Sequence, residues 1–448
     1  MTPRPDSQHA LQPAWLLLPL GLLYLASLGR LVYLQAVLGP SSARSAWQRM
    51  FVMQPLPAPR GRILDREGRT LAEDTPVWRL ILDAPPGRRR PPSPQAVEAL
   101  AHLLGRDPVR TAKLWKSDHV YSVIAGGLSS ETARRIRLLL AGLPGSGLKL
   151  EPSWRRSYPQ GRSLAHLVGY LRTEAGGAER CGAYGLEKTC DCLLVGRDGL
   201  AARQRAGPGY GVDPALEKRA PQVPRDVRTT LDACIGLVVA RELERVAREQ
   251  EPEWATAVVL DPRNGELFAM ASWPDFDPGD IAGSLAEVGS PAALTDRALS
   301  DPVEPGSTCK PFVIGRALAE GVLRPGEEID AEQGSWNLGV RTIRDVHPGG
   351  LLDPREILVR SSNIAAAKVG LKMGAERLKR VFRDFRFAEP IAFFGTASAS
   401  GILPPEREWR KRLWTLPSVS FGHQVALTPA RLAWSFAALI NGGLLHSP

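Results

Sequence analysis

Residues 304–319 read EPGSTCKPFVIGRALA and place a serine and a lysine one helical turn apart, at the start of an apolar-periodic segment. Because residues three apart share a helix face, the Lys310 amine can reach the Ser307 hydroxyl. A serine hydroxyl is a weak nucleophile until a base takes its proton, and a desolvated lysine with a lowered pKa can be that base. The N–H groups and positive dipole end of a helix N-terminus suit a developing oxyanion. The segment therefore predicts covalent acyl transfer through Ser307.

The same Ser-x-x-Lys spacing occurs a second time, at Ser146 and Lys149, and it also follows a Pro-Gly pair. There a proline comes three residues after the lysine and stops any helix, whereas Lys310 is followed by apolar residues at helical spacing that would bury the pair. Ser146 is therefore interpreted as a turn residue. The alternative for Ser307 is an ordinary helix-capping serine followed by a surface lysine.

A second polar motif opens another helical segment, at Ser361 and Asn363. A Ser-x-Asn triplet supplies a hydroxyl that can relay a proton and an amide that can hold a substrate carbonyl. The same spacing at Ser335 and Asn337 is followed by no helical pattern. Helix capping is again the alternative for Ser361 and Asn363. Two motifs in this order, each opening a helix, together indicate a serine acyl-transfer site.

These motifs and other segments resemble the class B penicillin-binding proteins, the membrane-anchored D,D-transpeptidases that cross-link peptidoglycan. The similarity begins at an N-terminal apolar segment and runs to the end of the chain. Segments similar to the non-catalytic part of the family are RLVYLQ (30–35), RGRILDREGRTLA (60–72), RSYP (156–159), HLVGY (166–170), Gly182, GLE (185–187) and GRDG (196–199). Segments similar to its transpeptidase domain are TLD (230–232), AVVLDPRNGELFAMASWPDFDP (257–278), SFGHQ (420–424), LTP (427–429) and NGG (441–443).

The resemblance implies a reaction and a role for each site residue. Ser307 would attack the penultimate carbonyl of a D-Ala-D-Ala stem peptide, with Lys310 as its base. Ser361 would relay a proton to the leaving amine, and Asn363 would hold the substrate amide. β-Lactams would acylate the same serine because they mimic the substrate. The family implies no metal and no organic cofactor, and its implied partners are peptidoglycan stem peptides, β-lactams and a membrane glycosyltransferase of a wall-synthesis complex.

One departure concerns the third motif of the family, a Lys-Thr-Gly or close variant on a strand beside the active site. The chain reaches Pro448 without one, and Lys188-Thr189-Cys190 lacks the glycine and lies in the non-catalytic part. The strand supplies an oxyanion N–H, and losing one such donor costs roughly 10²–10³ in rate. The transpeptidase domain is therefore expected to be C-terminally incomplete. Two other interpretations stay open: a catalytically impaired scaffold of a cell-wall synthesis complex, and a membrane-anchored β-lactam sensor.

The N-terminal apolar segment extends from Ala14 to Leu38 and is interrupted only by Arg30. Its length suits a membrane helix of ~20 residues. A signal peptide is less consistent with it, because no small-x-small cleavage site follows, and a buried core helix is the other alternative. Arg4 is the only basic residue before the segment and several arginines follow, so charge counting alone favours a cytoplasmic body. The resemblance instead implies a single-pass protein of the inner (cytoplasmic) membrane with its body on the periplasmic side.

The net charge of +10 raises the question of a nucleic-acid ligand. No nucleic-acid-binding motif accompanies it and the aromatic content is only 6%, so no nucleic acid is predicted as a partner. A basic exterior near a membrane would instead meet anionic lipids and acidic wall polymers.

The cysteines do not predict a metal site. The spacing of Cys181, Cys190 and Cys192 is poor for zinc, and no paired histidines follow. A disulfide involving Cys181 stays open. Cys309 is predicted to be a small buried side chain.

The predicted fold is an α/β (α+β) serine transpeptidase or β-lactamase-like domain, preceded by an elongated mixed non-catalytic domain and one transmembrane helix. The expected boundaries are 1–39 for the cytoplasmic tail and transmembrane helix, 40–225 for the pedestal and dimerisation domain, and 226–448 for the transpeptidase domain.

Local patterns predict individual elements in both domains. In the non-catalytic part, apolar alternation predicts a strand at 77–85, and helical periodicity with glycine stops predicts helices at 94–105 and 131–143. In the transpeptidase part, residues 254–272 predict a hairpin whose turn is Arg263-Asn264-Gly265. Helices are predicted after Gly306, Ser361 and Thr428.

Overall fold

The computed structural model describes residues 13–38, 51–116, 119–173, 180–206, 209–211, 217–339, 341–393, 396–411 and 413–446. They belong to two compact units. The first contains residues 1–58, 78–153 and 197–222, and the second contains residues 59–77, 154–196 and 223–448.

The α-helices among the described residues are α1 (Pro13–Val32), α2 (Pro94–Leu104), α3 (Pro108–Lys113), α4 (Ser130–Ala141), α5 (Ala165–Val168), α6 (Gly185–Thr189), α7 (Asp191–Leu194), α8 (Ala233–Gln250), α9 (Ile281–Val288), α10 (Arg297–Ser300), α11 (Lys310–Ala319), α12 (Pro354–Val359), α13 (Asn363–Met373), α14 (Ala375–Asp384), α15 (Glu406–Lys411), α16 (Thr415–Ser420) and α17 (Pro429–Ile440). The strands are β1 (Phe51–Leu56), β2 (Ile63–Leu64), β3 (Thr70–Asp83), β4 (Tyr121–Leu128), β5 (Leu148–Ser157), β6 (Leu171–Thr173), β7 (Arg180–Gly182), β8 (Gly199–Ala206), β9 (Gly209–Gly211), β10 (Glu217–Arg219), β11 (Val227–Arg228), β12 (Ala255–Leu260), β13 (Leu267–Trp273), β14 (Ile329–Asp330), β15 (Ser335–Asn337), β16 (Thr342–Arg344), β17 (Leu351–Leu352), β18 (Ala392–Phe393) and β19 (Thr396–Ala397).

The N-terminal helix α1 continues as a π-helical turn over Tyr33–Leu38. Its stretch Leu18–Ala36 is long and apolar enough to cross a membrane, and none of that stretch is buried within the protein. A core helix would hide its apolar side chains from solvent. The alternative of a buried core helix is therefore wrong.

The first unit contains the strand and the two helices that were predicted there. The second half of β3 pairs antiparallel with β4, and α2 and α4 contribute to a core with Leu80, Leu82, Leu100 and Ile136. Helix α2 begins after the N-cap Ser93, whose side chain accepts a hydrogen bond from Ala96 N, and ends at a left-handed glycine. These are the start and stop signals that the sequence carries.

The second unit contains the predicted hairpin of β12 and β13. The two strands pair antiparallel, with Ala257 opposite Ala271, and Gly265 in the turn has a φ of 79°. Strand β13 is largely buried and contributes Ala269 and Met270 to a core with residues of α8 and α17.

Helices α11, α13 and α14 form a second core in this unit, with the ring of Phe312 at its centre. That ring makes edge-on contacts with Phe385, Phe387 and Phe436 at centroid distances of 4.8, 5.1 and 4.9 Å. Helices α13 and α16 approach so closely that a Cβ at Gly370 would lie 1.7 Å from Ser420 Oγ. This packing fixes the N-terminal ends of α11 and α13, where the two predicted motifs lie.

Candidate active site

Ser307 lies in a 3₁₀ turn, Gly306–Cys309, that runs directly into α11 at Lys310. The Ser307 side chain is exposed, whereas Lys310 is only 1% exposed. The Lys310 Nζ lies 3.2 Å from Ser307 Oγ, within hydrogen-bonding distance. Pro305 and Cys309 occupy the two N-cap positions here, so Ser307 is not a capping residue and Lys310 is not a surface lysine. The alternative interpretation, a helix-capping serine followed by a surface lysine, is therefore wrong.

The same Lys310 Nζ reaches the second motif. It donates to the backbone oxygen of Ser361 at 2.5 Å and lies 2.9 Å from Ser361 Oγ. Ser361 has a φ of 54°, in the left-handed region, and lies between α12 and α13. A neutral amine has two N–H donors and one lone pair. It can therefore donate twice to Ser361 and accept the hydroxyl proton of Ser307.

Burial lowers the pKa of Lys310 from 10.5 to about 8. The Asp345 carboxylate opposes this change by favouring the charged ammonium. Burial has the larger effect, because removing an ammonium from water costs more than a single nearby charge returns. At neutral pH roughly a tenth of the Lys310 side chains are then in the neutral form that a general base requires.

Asp345 organises the start of α13. Its carboxylate accepts hydrogen bonds from Ser362 Oγ at 2.5 Å, Asn363 N at 2.6 Å and Ile364 N at 3.0 Å. Ser362 in turn caps the helix by accepting from Ala365 N at 3.0 Å. The capping residue is therefore Ser362, which leaves the Ser361 hydroxyl to Lys310. Asp345 was not predicted from the sequence, since no local pattern connects it to a motif 16 residues further along.

The segment after α16 supports the Ser307 turn from the other side. Gly306 N donates to Gly422 O at 3.1 Å, and a Cβ at Gly422 would lie 2.0 Å from Gly306 O. Gly422 also has a φ of 83°, which favours glycine. Cys309 is fully buried, as predicted, and burial raises the pKa of its thiol to about 12. The Cys309 thiol is therefore not a competing nucleophile.

Asn363 lies at the edge of an open groove of about 310 Å³ beside these residues. Its Nδ2 donates to Arg344 O at 3.2 Å. Ser307 and Lys310 do not line the groove, so the groove adjoins the reactive pair and does not enclose it. Of the four predicted site residues, Asn363 lines the groove, and Ser307, Lys310 and Ser361 do not.

The two motifs excluded during sequence analysis lie in other settings. Ser146 is in a turn, where its Oγ accepts from Leu148 N, and Lys149 forms an ion pair with Asp83 at 2.5 Å. Ser335 and Asn337 belong to strand β15. Neither pair has the geometry of Ser307 and Lys310.

All five cysteines are free thiols, so the disulfide that was left open at Cys181 is not formed. Within the described ranges, no group of three or more His, Cys, Asp or Glu side chains is placed to hold a metal ion.

Two protein families match the chain. The penicillin binding protein transpeptidase domain matches residues 255–448, and the penicillin-binding protein dimerisation domain matches residues 55–227. The chain is 29% identical over 436 residues to the probable peptidoglycan D,D-transpeptidase PenA of Neisseria gonorrhoeae, covering 96% of this chain and 72% of that protein. It is 28% identical over 454 residues to the peptidoglycan D,D-transpeptidase FtsI of Escherichia coli K12, covering 99% of this chain and 73% of that protein.

Solved structures agree with these matches. Penicillin Binding Protein 2X from Streptococcus thermophilus superposes with a TM-score of 0.68 at 21% identity, over 88% of this chain and 60% of that one. A structure described as "Structural coordination of polymerization and crosslinking by a peptidoglycan synthase complex" gives 0.66 at 26% identity, over 96% of this chain and 77% of that one. The predicted fold class is confirmed.

The chain belongs to the class B penicillin-binding proteins. Members of this family bind peptidoglycan stem peptides and β-lactams and are membrane-anchored, and the exposed apolar helix α1 fits such an anchor.

Proposed function

We propose that this protein is a membrane-anchored D,D-transpeptidase that cross-links stem peptides through an acyl-enzyme at Ser307. The observation that supports this most directly is the contact of one buried amine, Lys310 Nζ, with both Ser307 Oγ and Ser361 Oγ. A structural lysine would be paired with a carboxylate. This one is held between two hydroxyls, and burial lowers its pKa to about 8.

In acylation, the neutral Lys310 amine takes the proton of Ser307 Oγ while that oxygen attacks the penultimate carbonyl of D-Ala-D-Ala. The tetrahedral intermediate collapses, the ester to Ser307 forms and the C–N bond to the terminal D-alanine breaks. The leaving nitrogen needs a proton, and Ser361 Oγ, 2.9 Å from Lys310 Nζ, can pass one from the new ammonium. Lys310 is then neutral again.

In the second half-reaction, an amine of a neighbouring stem peptide attacks the acyl-enzyme ester. Lys310 accepts the proton that this amine loses and returns it to Ser307 Oγ as the ester breaks. Asn363, at the start of α13, holds the amide of the donor strand through its side-chain carboxamide. The Asp345 hydrogen bonds to this helix end fix the position of Asn363.

The body is proposed to lie on the periplasmic side of the membrane, with residues 40–225 as the pedestal and 226–448 as the transpeptidase domain. The similarity to a complex that coordinates polymerization and crosslinking supports a membrane glycosyltransferase as the partner of this chain.

Covalent labelling by a fluorescent penicillin tests the proposed nucleophile. We expect the full chain in detergent to be labelled and the Ser307→Ala variant to lose the label. Ser146→Ala is the matched control, because it removes the serine of the other Ser-x-x-Lys pair and should leave labelling unchanged. Folded wild-type protein that takes up no label would refute the proposal and leave the scaffold interpretation. Ser307→Ala protein that keeps the label would refute Ser307 as the nucleophile.

Turnover separates an enzyme from a sensor. When the protein is given a donor pentapeptide and an acceptor amine, we expect it to release D-alanine and to form a cross-linked product. Labelling by penicillin without any D-alanine release would favour the β-lactam sensor instead.

A further inference from the structure

Ser361 has a backbone conformation that its residue type rarely adopts. Its φ is 54°, in the left-handed region, where the Cβ atom crowds the following carbonyl oxygen. Glycine avoids this crowding and asparagine tolerates it, so these two residues are the usual occupants of such positions. A serine in this conformation is locally disfavoured, and the surrounding structure must hold it there.

Hydrogen bonds on both sides of Ser361 impose this conformation. Ser361 N donates to Leu358 O at 3.2 Å, and Ser362 N donates to Ile357 O at 3.1 Å. These two bonds form the Schellman motif, which ends helix α12 with one left-handed residue. The next residue, Ser362, caps α13 and donates its hydroxyl to the Asp345 carboxylate. The backbone of Ser361 is therefore fixed between the end of one helix and the start of the next.

The left-handed turn brings the carbonyl oxygen of Ser361 to Lys310. The distance from Lys310 Nζ is 2.5 Å to Ser361 O, 2.9 Å to Ser361 Oγ and 3.2 Å to Ser307 Oγ. A hydroxyl group can rotate and can donate or accept, whereas a backbone carbonyl oxygen in a fixed turn only accepts. This oxygen therefore holds one N–H of the amine in a constant direction, and the lone pair of the neutral amine is left to face Ser307.

We propose that the left-handed backbone of Ser361 positions the base of the reaction, because it holds the carbonyl oxygen that orients Lys310 toward Ser307. This inference rests on the proposed function and adds a role for the main chain of Ser361 that is separate from proton relay by its hydroxyl. Glycine at this position would keep the backbone without the hydroxyl. Threonine would keep the hydroxyl but resist the backbone, because a β-branched residue is strongly disfavoured at positive φ.

A second Schellman motif in the chain supplies a matched control. Arg386, with a φ of 55°, ends α14, where Arg386 N donates to Arg383 O and Phe387 N donates to Phe382 O, both at 2.9 Å. The Arg386 side chain is exposed and pairs with Glu389 at 3.6 Å. The same substitution can therefore be made in the same backbone motif outside the site of Ser307 and Lys310.

Acylation of the full-length protein by penicillin in detergent tests the inference. We expect Ser361→Thr, which keeps the hydroxyl, to be acylated at least about tenfold more slowly than the wild type, because a displaced lysine loses its alignment with Ser307. Arg386→Thr should lose stability in urea but keep the wild-type acylation rate. Equal acylation rates in the two folded variants would overturn the inference.

Ser361→Asn and Ser361→Val separate the backbone from crowding by a larger side chain. Both variants lack the hydroxyl and their side chains are similar in size, but only asparagine accepts the left-handed region readily. Ser361→Asn should therefore be acylated at least about tenfold faster than Ser361→Val. Equal rates in this pair would overturn the inference, even if Ser361→Thr is too unstable to be measured.

The titration of Lys310 gives a readout that does not depend on acylation. Asp345 and Cys309 are the charged and titratable groups that act on Lys310, and both favour the ammonium. A carbonyl oxygen that accepts from Lys310 also favours the ammonium, so its loss should lower the pKa of Lys310. We expect ¹³C NMR of lysine-labelled full-length protein, with the signal assigned through Lys310→Arg, to show a lower midpoint in Ser361→Thr than in the wild type or in Arg386→Thr. An unchanged midpoint would overturn the inference.

These measurements keep the two proposals apart. Wild-type protein that takes up no penicillin would overturn the acyl-enzyme, whereas a lowered Lys310 midpoint in Ser361→Thr would still support orientation of the lysine by the carbonyl oxygen. Wild-type protein that is labelled, together with an unchanged midpoint in Ser361→Thr, would overturn the positioning inference alone.

Discussion

Lys310 connects the two motifs because its amine reaches both hydroxyls from inside the protein. The side chain is almost completely buried, yet its hydrogen bonds go to the hydroxyl of Ser307 and to two oxygens of Ser361, and none goes to a carboxylate of a described residue. Without a close counter-ion, the charged form is disfavoured and the pKa falls to about 8. This property makes the acylation rate dependent on pH.

The first prediction is that acylation rises with pH. The reactive form of Lys310 is the neutral amine, so its fraction grows about tenfold per pH unit below a pKa of about 8 and levels off above it. Stopped-flow acylation by penicillin should therefore increase about tenfold between pH 6 and pH 7 and reach a plateau above pH 9. Lys310→Arg keeps the positive charge but cannot lose it, so acylation should be about 10²–10⁴-fold slower at the plateau and should no longer rise with pH near 8. A rate that is flat between pH 6 and pH 8 would contradict the role of Lys310 as base.

At the residue scale, the sequence predicted the Ser307–Lys310 contact because apolar residues after the lysine indicated a buried helix. Ser146 and Lys149 have the same spacing but no such residues, and Lys149 pairs with Asp83 instead. The sequence could not decide which of two adjacent serines caps α13. Ser361 and Ser362 have the same intrinsic preference for an N-cap, and only the left-handed backbone at Ser361 assigns the cap to Ser362.

The close contact between Gly306 and Gly422 gives the second prediction, at the scale of elements. Gly422→Ala would place a Cβ 2.0 Å from Gly306 O in a left-handed backbone, so the Ser307 turn must move. We expect the free energy of unfolding to fall by about 2–4 kcal/mol. Acylation should slow by about 10–10²-fold, since a displaced nucleophile loses its alignment with Lys310.

Gly442→Ala separates backbone strain from this contact. Gly442 has nearly the same φ, 86°, and a Cβ there would meet nothing within 4 Å. It should cost only about 1–2 kcal/mol and leave acylation unchanged. Equal acylation rates in the two variants would show that the approach of Gly422 does not position the Ser307 turn.

The third prediction concerns Asp345, which accepts hydrogen bonds at the start of α13 and faces Lys310. Asp345→Asn removes the negative charge that favours the Lys310 ammonium, so the pKa of Lys310 should fall further below 8. The pH at which acylation is half-maximal should shift downward by the same amount. The helix end should also lose about 1 kcal/mol of stability, because the amide cannot accept all three hydrogen bonds.

Asp353→Asn is the matched control for this shift. Asp353 caps α12 and accepts from Glu356 N at 2.7 Å, but it is not among the groups that act on the Lys310 pKa. Asparagine caps a helix about as well as aspartate, so this variant should keep its stability and leave the pH profile in place. A profile that stays in place in Asp345→Asn would show that Asp345 only supports the helix.

At the element scale, the sequence predicted the hairpin of β12 and β13 and the helices α11, α13 and α17, because their periodicity and turn residues are local signals. The short hairpin of β15 and β16 was not predicted. Its strands have three residues each, too few for alternation to register, and the Ser335 motif was recognised only as a stretch without a helix. That hairpin nevertheless forms one wall of the groove.

At the scale of the whole molecule, the second unit brings together three separate stretches of chain. A buried charge network joins two of them, residues 59–77 and 154–196. Glu187 accepts from Arg60 Nε at 2.7 Å and from Arg156 Nε at 2.6 Å. Asp74 accepts from Arg60 N at 2.9 Å and lies 3.4 Å from Arg156 Nη1. The resemblance marked these arginines and the glutamate as separate landmarks, but residues 127 positions apart carry no local signal that they pair.

The fourth prediction is that this network stabilises the second unit. Glu187 is fully buried, and Glu187→Gln would leave two buried guanidinium groups with one carboxylate fewer and turn an amide N–H toward one of the arginines. Breaking a buried ion pair in this way costs about 3–5 kcal/mol. Urea denaturation in detergent should show that loss.

Glu249→Gln is the control, because Glu249 pairs with Arg245 at 2.8 Å on the exposed face of α8. This substitution should lower the free energy of unfolding by less than about 0.5 kcal/mol. Equal stabilities of the two variants would mean that the network contributes no more than a surface pair. Because this network lies outside the site of Ser307 and Lys310, Glu187→Gln protein that remains folded at low temperature should be acylated at the wild-type rate.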